Sequence, residues 1–314
     1  MADAACRQEL AQLTTPTQVK RSLPLLGQGA RWRAYGPATL LIAPLLIFLL
    51  GFYVIPMTSM LAQSFSWWSG DAEADGRATL YQYAKTLNSS RAMGAIERTF
   101  RISLFSVVFC ILLSYPIALW LVTARRFVRT LVLVITFVSL AASLIVRNYG
   151  WLIVLSNTGP VNGLLVALGI VEFPLQLTYN ESAIIVALVH YGMPFMILPI
   201  YGSLLRIPPA LWEASFSLGA GTARTLWCIV FPLSVPGIFG GTILVFAVSM
   251  SAFVTPLMLG SPSTAMASQV AAEQMLVQLN FAWGSAIIIT LTVATVLLVW
   301  AYALLIRRMF RVNV

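Results

Sequence analysis

The run Ser182–Leu205, SAIIVALVHYGMPFMILPIYGSLL, contains no lysine, arginine, aspartate or glutamate, and it decides the class of fold. A helix rises about 1.5 Å per residue, so a helical run of this length crosses the roughly 30 Å hydrocarbon core of a bilayer. The rest of the chain has the same character, because 59% of its 314 residues are hydrophobic and only 9% are charged. About a quarter of the residues of an ordinary soluble domain are charged. The sequence therefore predicts a membrane protein.

Five further uncharged runs have membrane-spanning length. Backbone polar groups in lipid must be satisfied within each spanning segment, and none of the runs alternates polar and apolar residues as a barrel strand does. We therefore predict an all-α membrane protein with about six transmembrane helices. Besides Ser182–Leu205, the predicted spans are Pro37–Leu61, Ile102–Ala124, Thr130–Val146, Pro232–Leu259 and Ala282–Ile306.

The distribution of lysines and arginines predicts the orientation of the helices. Most of the nineteen lie in the N-terminal tail, in the connections around Arg125 and Arg206, and after Ile306. Cytoplasmic loops are enriched in these residues, so both termini are predicted to be cytoplasmic. The first apolar run begins too late and is too long for a signal peptide, and we interpret it as an uncleaved helix. We predict a disordered tail over residues 1–34 and one transmembrane domain over residues 35–314.

The residue types on which enzymes and metal sites depend are scarce. The chain has one histidine, His190, and its cysteines, Cys6, Cys110 and Cys228, lie far apart. It contains no phosphate-binding G-x-x-x-x-G-K-[ST] motif, and its basic residues never form the concentrated patch of a nucleic-acid binder. We expect no catalytic residue, metal, cofactor or nucleic-acid partner. For His190 we expect a hydrogen-bonded packing role, with a pore-lining role as the alternative.

The longest predicted cytoplasmic connection runs from Arg206 to about Phe231 and is longer than an idle connection needs to be. Residues 207–232 read IPPALWEASFSLGAGTARTLWCIVFP. Pro208 and Pro209 suit the first turn of a helix, Gly219 suits its C-terminal end, and Thr222 is placed to cap a second helix. We predict a helix, a glycine turn and a second helix that project from the bilayer. The alternative from composition alone is an amphipathic segment that lies on the membrane surface.

The residue order in this connection resembles that of the permease subunits of binding-protein-dependent ABC importers. Their consensus reads E-A-A, three residues, G, nine residues, I, one residue, L-P. Serine replaces the second alanine here and phenylalanine the leucine, with little change in size class. The matching positions are Glu213, Ala214, Ser215, Gly219, Ile229, Phe231 and Pro232.

Other stretches resemble the spermidine/putrescine-type branch of these permeases. They include VRNYGW at 146–151, PFMILPIY at 194–201 and VPGIFGG at 235–241. Ser261-Pro262 departs from the glycine common in that branch, which leaves the subgroup and the substrate open. The resemblance implies a type I ABC importer transmembrane domain in a bacterial inner membrane. It also implies import of a polyamine, with opines or another small organic solute as the alternative.

In this family the short helix docks on a cytoplasmic ATPase and transmits nucleotide-driven closure to the membrane helices. The implied partners are a second, related but different permease, two ATPase subunits and a periplasmic substrate-binding protein. The resemblance implies that the coupling residues are Glu213, Ala214, Ser215, Gly219, Ala220, Ile229 and Pro232.

Candidate residues of a translocation path are aromatic and hydroxyl side chains. Aromatic faces attract ammonium groups, and the six predicted spans contain no aspartate or glutamate, so a path would bind a polyamine weakly and leave selection to the soluble receptor. A stand-alone transporter or a membrane scaffold remains an alternative. For Arg147 we expect a structural or gating role near the outer interface. The path candidates are Tyr149, Trp151, Tyr201, Ser249 and Phe253.

Overall fold

The computed structural model describes residues 42–66 and 79–310, and within these ranges every regular element is a helix. The predicted tail over 1–34 lies outside the described residues. The chain divides into two compact units between Met57 and Thr58. The first unit is described over 42–57, where the rings of Phe48 and Phe52 stack at 4.7 Å. The helices are α1 (Ile42–Ser64), α2 (Tyr81–Asn88), α3 (Ser90–Thr123), α4 (Arg126–Ala141), α5 (Leu144–Val154), α6 (Pro160–Ala167), α7 (Glu181–Leu204), α8 (Pro209–Ser217), α9 (Thr222–Met250), α10 (Val254–Leu259), α11 (Ala267–Leu276) and α12 (Phe281–Phe310).

Five of the described helices are long and apolar enough to cross a membrane, namely α1, α3, α7, α9 and α12. The pair α4 and α5 gives a sixth span if it is counted as one broken helix. These numbers confirm the prediction of an all-α membrane protein with about six spans.

The predicted span Thr130–Val146 is not one straight helix. The chain bends by 104° between α4 and α5, and the predicted end of the span, Val146, is the third residue of α5. The guanidinium of Arg147 donates hydrogen bonds to the carbonyls of Ser139 and Ala142, which the bend releases from the helical ladder. The bend is therefore held by a side chain that reaches back across it.

The predicted span Pro232–Leu259 is also interrupted. Helix α9 begins ten residues earlier, at Thr222, and ends at Met250, and α10 follows a break over 251–253. Pro256 has no backbone N–H and its ring would clash with the carbonyl of Ala252, so a continuous helix is disfavoured. That carbonyl instead accepts a hydrogen bond from Ser268 Oγ at 2.6 Å.

Helix α7, the run that decided the fold class, packs mainly against α3 and α9. On α9, Gly237 and Gly241 form a small-xxx-small pair, and a Cβ at either position would collide with α7, at Ser203 and Met196 respectively. Such glycines allow two membrane helices to approach closely. The core on this side is formed by Val107, Cys110 and Ala118 of α3, Met196, Ile200 and Leu204 of α7, and Val245 of α9.

Ion pairs join the first turns of α7 to α3. Glu181 accepts a hydrogen bond from Arg101 at 2.6 Å and lies 3.5 Å from the Arg98 guanidinium. Arg91 pairs with Glu273 of α11 at 2.6 Å. These contacts fix one end of the bundle, and the 207–232 connection leaves α7 at its other end.

Candidate functional site

The connection over 207–232, which we call the coupling segment, contains the two helices and the glycine turn that the sequence predicts. Helix α8 begins directly after Pro208, and Gly219 ends it with φ of +79°. The Gly219 N–H donates to the Phe216 carbonyl at 2.9 Å, and the Ala220 N–H donates to the Ser215 carbonyl at 3.0 Å. This pair of bonds is the Schellman ending of a helix, which needs a left-handed residue at the position of Gly219. The predicted glycine stop is confirmed.

The second helix starts differently from the prediction. Gly221, not Thr222, is the N-cap residue of α9, and no side-chain cap is present. Thr222 is the first helical residue because the extended backbone of Gly221, with ψ of 162°, already redirects the chain. The hydroxyl that organises this start is that of Thr225, which is 3.2 Å from the Gly221 carbonyl.

A buried pair of hydroxyls fastens α8 to the start of α9. Ser215 Oγ lies 2.9 Å from Thr225 Oγ1, and the two residues are only 4% and 1% exposed. Ser215 Oγ also lies 2.9 Å from the Trp212 carbonyl oxygen, and each hydroxyl has a single proton, so one hydroxyl of the pair donates to the other and the second donates to a backbone carbonyl. The serine that replaces alanine in the family consensus therefore adds one hydrogen bond between the two helices.

The outer surface of the coupling segment combines charge with large apolar side chains. Glu213 and Ala214 are exposed, and within the described residues the Glu213 carboxylate makes no salt bridge. Leu218 is 88% exposed and Trp227 is 71% exposed. Exposed apolar side chains around an unpaired charge are a pattern expected of a protein-docking surface.

The remaining predicted coupling residues lie on or near the helix that leads into the membrane. Ala220 and Ile229 are half-buried, and Pro232 is exposed. The segment Leu226–Val230, which ends two positions before Pro232, forms a π-helical turn within α9. Proline has no N–H to donate, and such wide turns are typical where a helical bond is missing.

Two cavities meet at Phe253, in the break between α9 and α10. The first cavity is about 420 Å³, and Phe253 shares its lining with Arg91 and Glu273. The second is about 270 Å³, and Phe253 shares its lining with Tyr191, Ser251 and other residues. The Phe253 side chain is therefore common to a cavity at the Glu181 end of α7 and to a cavity further along α7.

The second cavity lies where both broken helices come together. Three of the residues that line it come from different elements. Leu144 is the first residue of α5, directly after the bend, Ser251 lies in the break after α9, and Tyr191 lies in the middle of α7. The Arg147 guanidinium lies 5.0 Å from the centre of the Tyr191 ring. Broken helices in a membrane are tolerated where they line a cavity or are buried in protein.

The other path candidates are not gathered around Phe253. Tyr149 is 57% exposed and borders a separate polar cavity of about 640 Å³ with residues of the 156–179 connection. Trp151 donates its indole N–H to His190 Nδ1 at 3.1 Å, so His190 is hydrogen-bonded as expected, and its packing role stays a prediction. Tyr201 packs in the core with α3 and α9, and Ser249 is buried.

Sequence reasoning missed Tyr191 and Thr255, which line the second cavity. Thr255 Oγ1 accepts a hydrogen bond from Asn148 Nδ2 at 3.2 Å, and this bond ties α10 to α5. Pro256 is the local signal that could have indicated a helix break there. No local signal marks Tyr191, because it becomes part of the cavity only when α4 bends.

The chain is similar to known transport proteins over most of its length. Residues 103–311 match the model of the family described as binding-protein-dependent transport system inner membrane component. The spermidine/putrescine transport system permease protein PotB of Haemophilus influenzae is 30% identical over 261 residues, which cover 83% of this chain and 91% of that protein. PotB of Escherichia coli K12 is 32% identical over 200 residues, which cover 64% of this chain and 73% of the relative.

Solved structures share the fold. A bacterial ABC transporter involved in the import of the acidic polysaccharide alginate has a chain with a TM-score of 0.73 and 19% identity, covering 88% of this chain and 98% of that one. The MetNI methionine ABC transporter in an inward-facing conformation has a chain with a TM-score of 0.54 and 16% identity, covering 69% and 95%. These neighbours confirm the predicted type I ABC importer transmembrane fold.

Proposed function

The chain belongs to the family of binding-protein-dependent transport inner membrane components, and from this premise we propose that it forms half of an import path for a polyamine. Membership of the family makes it a permease subunit of an importer and a multi-pass protein of the bacterial inner membrane. The identity of the solute, the partner chains and the roles of individual residues are what we propose beyond that membership. The transmembrane domain is assigned to residues 35–314, after the tail over 1–34.

The observation that carries the coupling role is the construction of the coupling segment. Gly219 closes α8, the Ser215–Thr225 pair fixes α8 on α9, and Glu213 and Leu218 are left on the exposed surface. A rigid projection of this kind transmits a displacement to α9, which is continuous from Thr222 into the membrane. Glu213 would meet a basic or polar group of an ATPase, and Ala214 would permit close approach.

The energy for transport would come from other subunits. Two cytoplasmic ATPase subunits would bind the coupling segments of this chain and of a second, different permease, and a periplasmic binding protein would deliver the solute. Closure of the ATPase dimer would favour the outward-facing state, and hydrolysis would return the permease inward, as a population shift set by differential affinity. The chain itself would have no catalytic role.

The solute path would run from the first cavity past Phe253 to the second cavity. Glu273 lines the first cavity and supplies negative charge at the predicted outer side, although Arg91 pairs with it. Tyr191 and Phe253 supply aromatic faces for ammonium groups in the second cavity. The polyamine assignment is supported by the two PotB relatives, which are described as spermidine/putrescine permeases.

One observation favours a different solute. The Arg147 guanidinium covers the Tyr191 ring beside the second cavity, and the six predicted spans contain no carboxylate. A fixed positive charge suits an amine that also carries an anionic group, and opines are solutes of that kind. Opines are therefore the second candidate.

The test is uptake of radiolabelled putrescine, spermidine and an opine by cells that express the whole operon. Wild type is compared with Glu213→Ala and with Ser217→Ala, a matched change on the same exposed helix, and membrane insertion is quantified in parallel. We expect polyamine uptake in wild type and Ser217→Ala and at least a tenfold loss in Glu213→Ala at equal insertion. Unchanged uptake in Glu213→Ala contradicts the coupling role. Opine uptake without polyamine uptake in wild type contradicts the polyamine assignment and leaves the coupling role standing.

A further inference from the structure

The connection between α5 and α7, residues 155–180, has an unusual surface. It contains one charged residue, Glu172, and no lysine or arginine. Four of its large apolar side chains, Leu164, Leu168, Ile170 and Phe173, are 61% to 76% exposed. A loop that faces water rarely exposes so many large apolar side chains within so short a stretch. These side chains therefore indicate a surface that lipid or another molecule covers.

Two polar side chains of the 155–180 segment, those of Asn162 and Thr178, are buried, whereas Asn157, Thr158, Glu172 and Gln176 are exposed. Asn162 is fully buried, and its Nδ2 donates to the carbonyls of Ser156 at 3.0 Å and Leu175 at 2.9 Å. Its Oδ1 accepts from the Leu175 N–H at 2.9 Å, and Thr178 is buried as well. The exposed surface of the segment therefore combines large apolar side chains with a few polar ones, as is expected of a segment between headgroups and acyl chains.

The helix of this segment also closes its own end. Gly169, with φ of +67°, donates its N–H to the Val166 carbonyl at 3.0 Å, and the Ile170 N–H donates to the Leu165 carbonyl at 3.0 Å. Helix α8 ends in the same way at Gly219, so this closure fixes the shape of the turn, and the exposed side chains indicate its surroundings.

We propose that the 155–180 segment lies in the boundary between headgroups and acyl chains of one leaflet, with Leu164, Leu168, Ile170 and Phe173 among the acyl chains. Helix α6 has eight residues and is too short to cross the bilayer. Both ends of the segment continue into helices of the membrane domain, α5 and α7, so the segment lies close to the membrane surface. This inference goes beyond the proposed function and does not depend on the solute.

The charge of the segment specifies the kind of lipid surface. Interfacial helices that select anionic lipids carry lysine and arginine, because basic residues are attracted to an anionic surface. The 155–180 segment has none, so its insertion depends on buried apolar area alone. A zwitterionic bilayer is therefore a sufficient partner, and added anionic lipid leaves the insertion depth unchanged.

The test is spin-label accessibility in the complete importer, reconstituted in phosphatidylcholine nanodiscs. Nitroxides are attached to Leu168→Cys and Phe173→Cys, and to Ile170→Cys should either variant assemble poorly, in a background of Cys6→Ser and Cys228→Ser that retains uptake. Ser263→Cys, exposed between α10 and α11, is the aqueous reference, and a lipid labelled on its acyl chain is the apolar reference. Collision rates with oxygen and with a water-soluble nickel chelate are measured with and without the binding protein.

We expect the labels at Leu168 and Phe173 to collide at least threefold more with oxygen relative to nickel than the label at Ser263 does. Addition of 30% phosphatidylglycerol leaves that ratio unchanged. Nickel accessibility equal to that of Ser263 would show that water covers the segment and overturn the proposal. Labels shielded from both reagents would show that a protein partner covers it, and this result also overturns the proposal.

Discussion

The two ends of α7 carry connections of similar construction that face different surroundings. Each contains a short helix closed by a glycine with positive φ, Gly169 at +67° and Gly219 at +79°, and each exposes a leucine beside that glycine. They differ in charge, because the coupling segment exposes Glu213 and Arg224 whereas the 155–180 segment has a single acid. Turn geometry thus fixes the shape of each segment, and its charge and exposed side chains indicate its partner.

A substitution that adds a side chain at Gly219 or Gly169 is expected to have the largest effect of the changes considered. A Cβ at Gly219 meets no atom within 4 Å, so only backbone strain opposes Gly219→Val. A left-handed conformation costs an ordinary L-residue about 1–2 kcal/mol, and a β-branched residue more. We expect the valine variant to insert normally and to lose at least 90% of uptake, because the ending of α8 is displaced. Solute uptake and ATP hydrolysis by the reconstituted complex measure this uncoupling.

Two glycine variants serve as controls for that experiment. Gly221→Ala retains uptake, because Gly221 has φ of −74° and its added Cβ also meets nothing. Gly169→Val carries the same backbone strain at the other end of α7 and is expected to lower stability without uncoupling ATP hydrolysis from uptake. Equal uncoupling by the Gly169 and Gly219 variants would contradict the division of roles between the two segments.

The second prediction concerns the internal tie of the 155–180 segment. Asn162→Ala removes three hydrogen bonds from a fully buried site, and each bond contributes about 0.5–1.5 kcal/mol. We expect the free energy of unfolding of the segment to fall by about 2–4 kcal/mol. Hydrogen exchange of the amides over 156–175 reports this loss as faster exchange. Asn157→Ala, at an exposed position in the same loop, is the control, and equal exchange in the two variants would contradict the role of Asn162.

A third prediction compares the two exposed leucines directly. Burial of a leucine side chain contributes about 1.5–3 kcal/mol, which corresponds to about tenfold or more in affinity. Leu218→Ser is therefore expected to weaken ATPase binding about tenfold, and Leu168→Ser to leave it unchanged. Titration of the purified ATPase onto permease complexes in nanodiscs gives both affinities. A loss in both variants, or in neither, would mean that exposure alone does not identify the docking surface.

The sequence predicted the features that depend on local residue types. Absence of charge gave the spans, because the hydrocarbon core excludes charged side chains wherever they lie in the chain. The stop of α8 at Gly219 was predictable since few other residues adopt its backbone conformation. The N-cap of α9 was predicted wrongly as Thr222, because Gly221, with its extended backbone, serves as the N-cap without any side-chain bond.

Features that depend on contacts across the fold were not predictable. The bend at 142–143 follows a run of alanine and serine that contains no helix breaker, and it is held by Arg147 from the far side of the bend and by Tyr191 from α7. Both cavities at Phe253 adjoin the break after α9, and the second also adjoins the bend after α4; only the break after α9 has a local signal, in Pro256. The path candidates were chosen by residue type, and Trp151 proved to be occupied by a hydrogen bond to His190.

The smallest expected effect concerns the hydroxyl pair of the coupling segment. Ser215→Ala removes the bond to Thr225, but the Gly221 carbonyl lies within reach of the Thr225 hydroxyl, which then donates there and is not left unsatisfied. We therefore expect a loss of about 0.5–1.5 kcal/mol in the stability of the α8–α9 corner and no more than a threefold loss of uptake. Alanine is also the consensus residue at this position, so the corner must hold without the hydroxyl in proteins that have alanine there.

A double-mutant cycle with Thr225→Val separates this bond from other effects of the substitutions. If the two hydroxyls stabilise the corner through their mutual hydrogen bond, the double variant lowers uptake no more than Thr225→Val alone. The reason is that Thr225→Val has already removed the bond that Ser215→Ala would remove. Purely additive losses would mean that the two hydroxyls act through different neighbours, Ser215 through Trp212 and Thr225 through Gly221. The corner would then be held by the Gly219 turn alone, and the coupling segment would resemble the 155–180 segment in its turn while lacking any equivalent of Asn162.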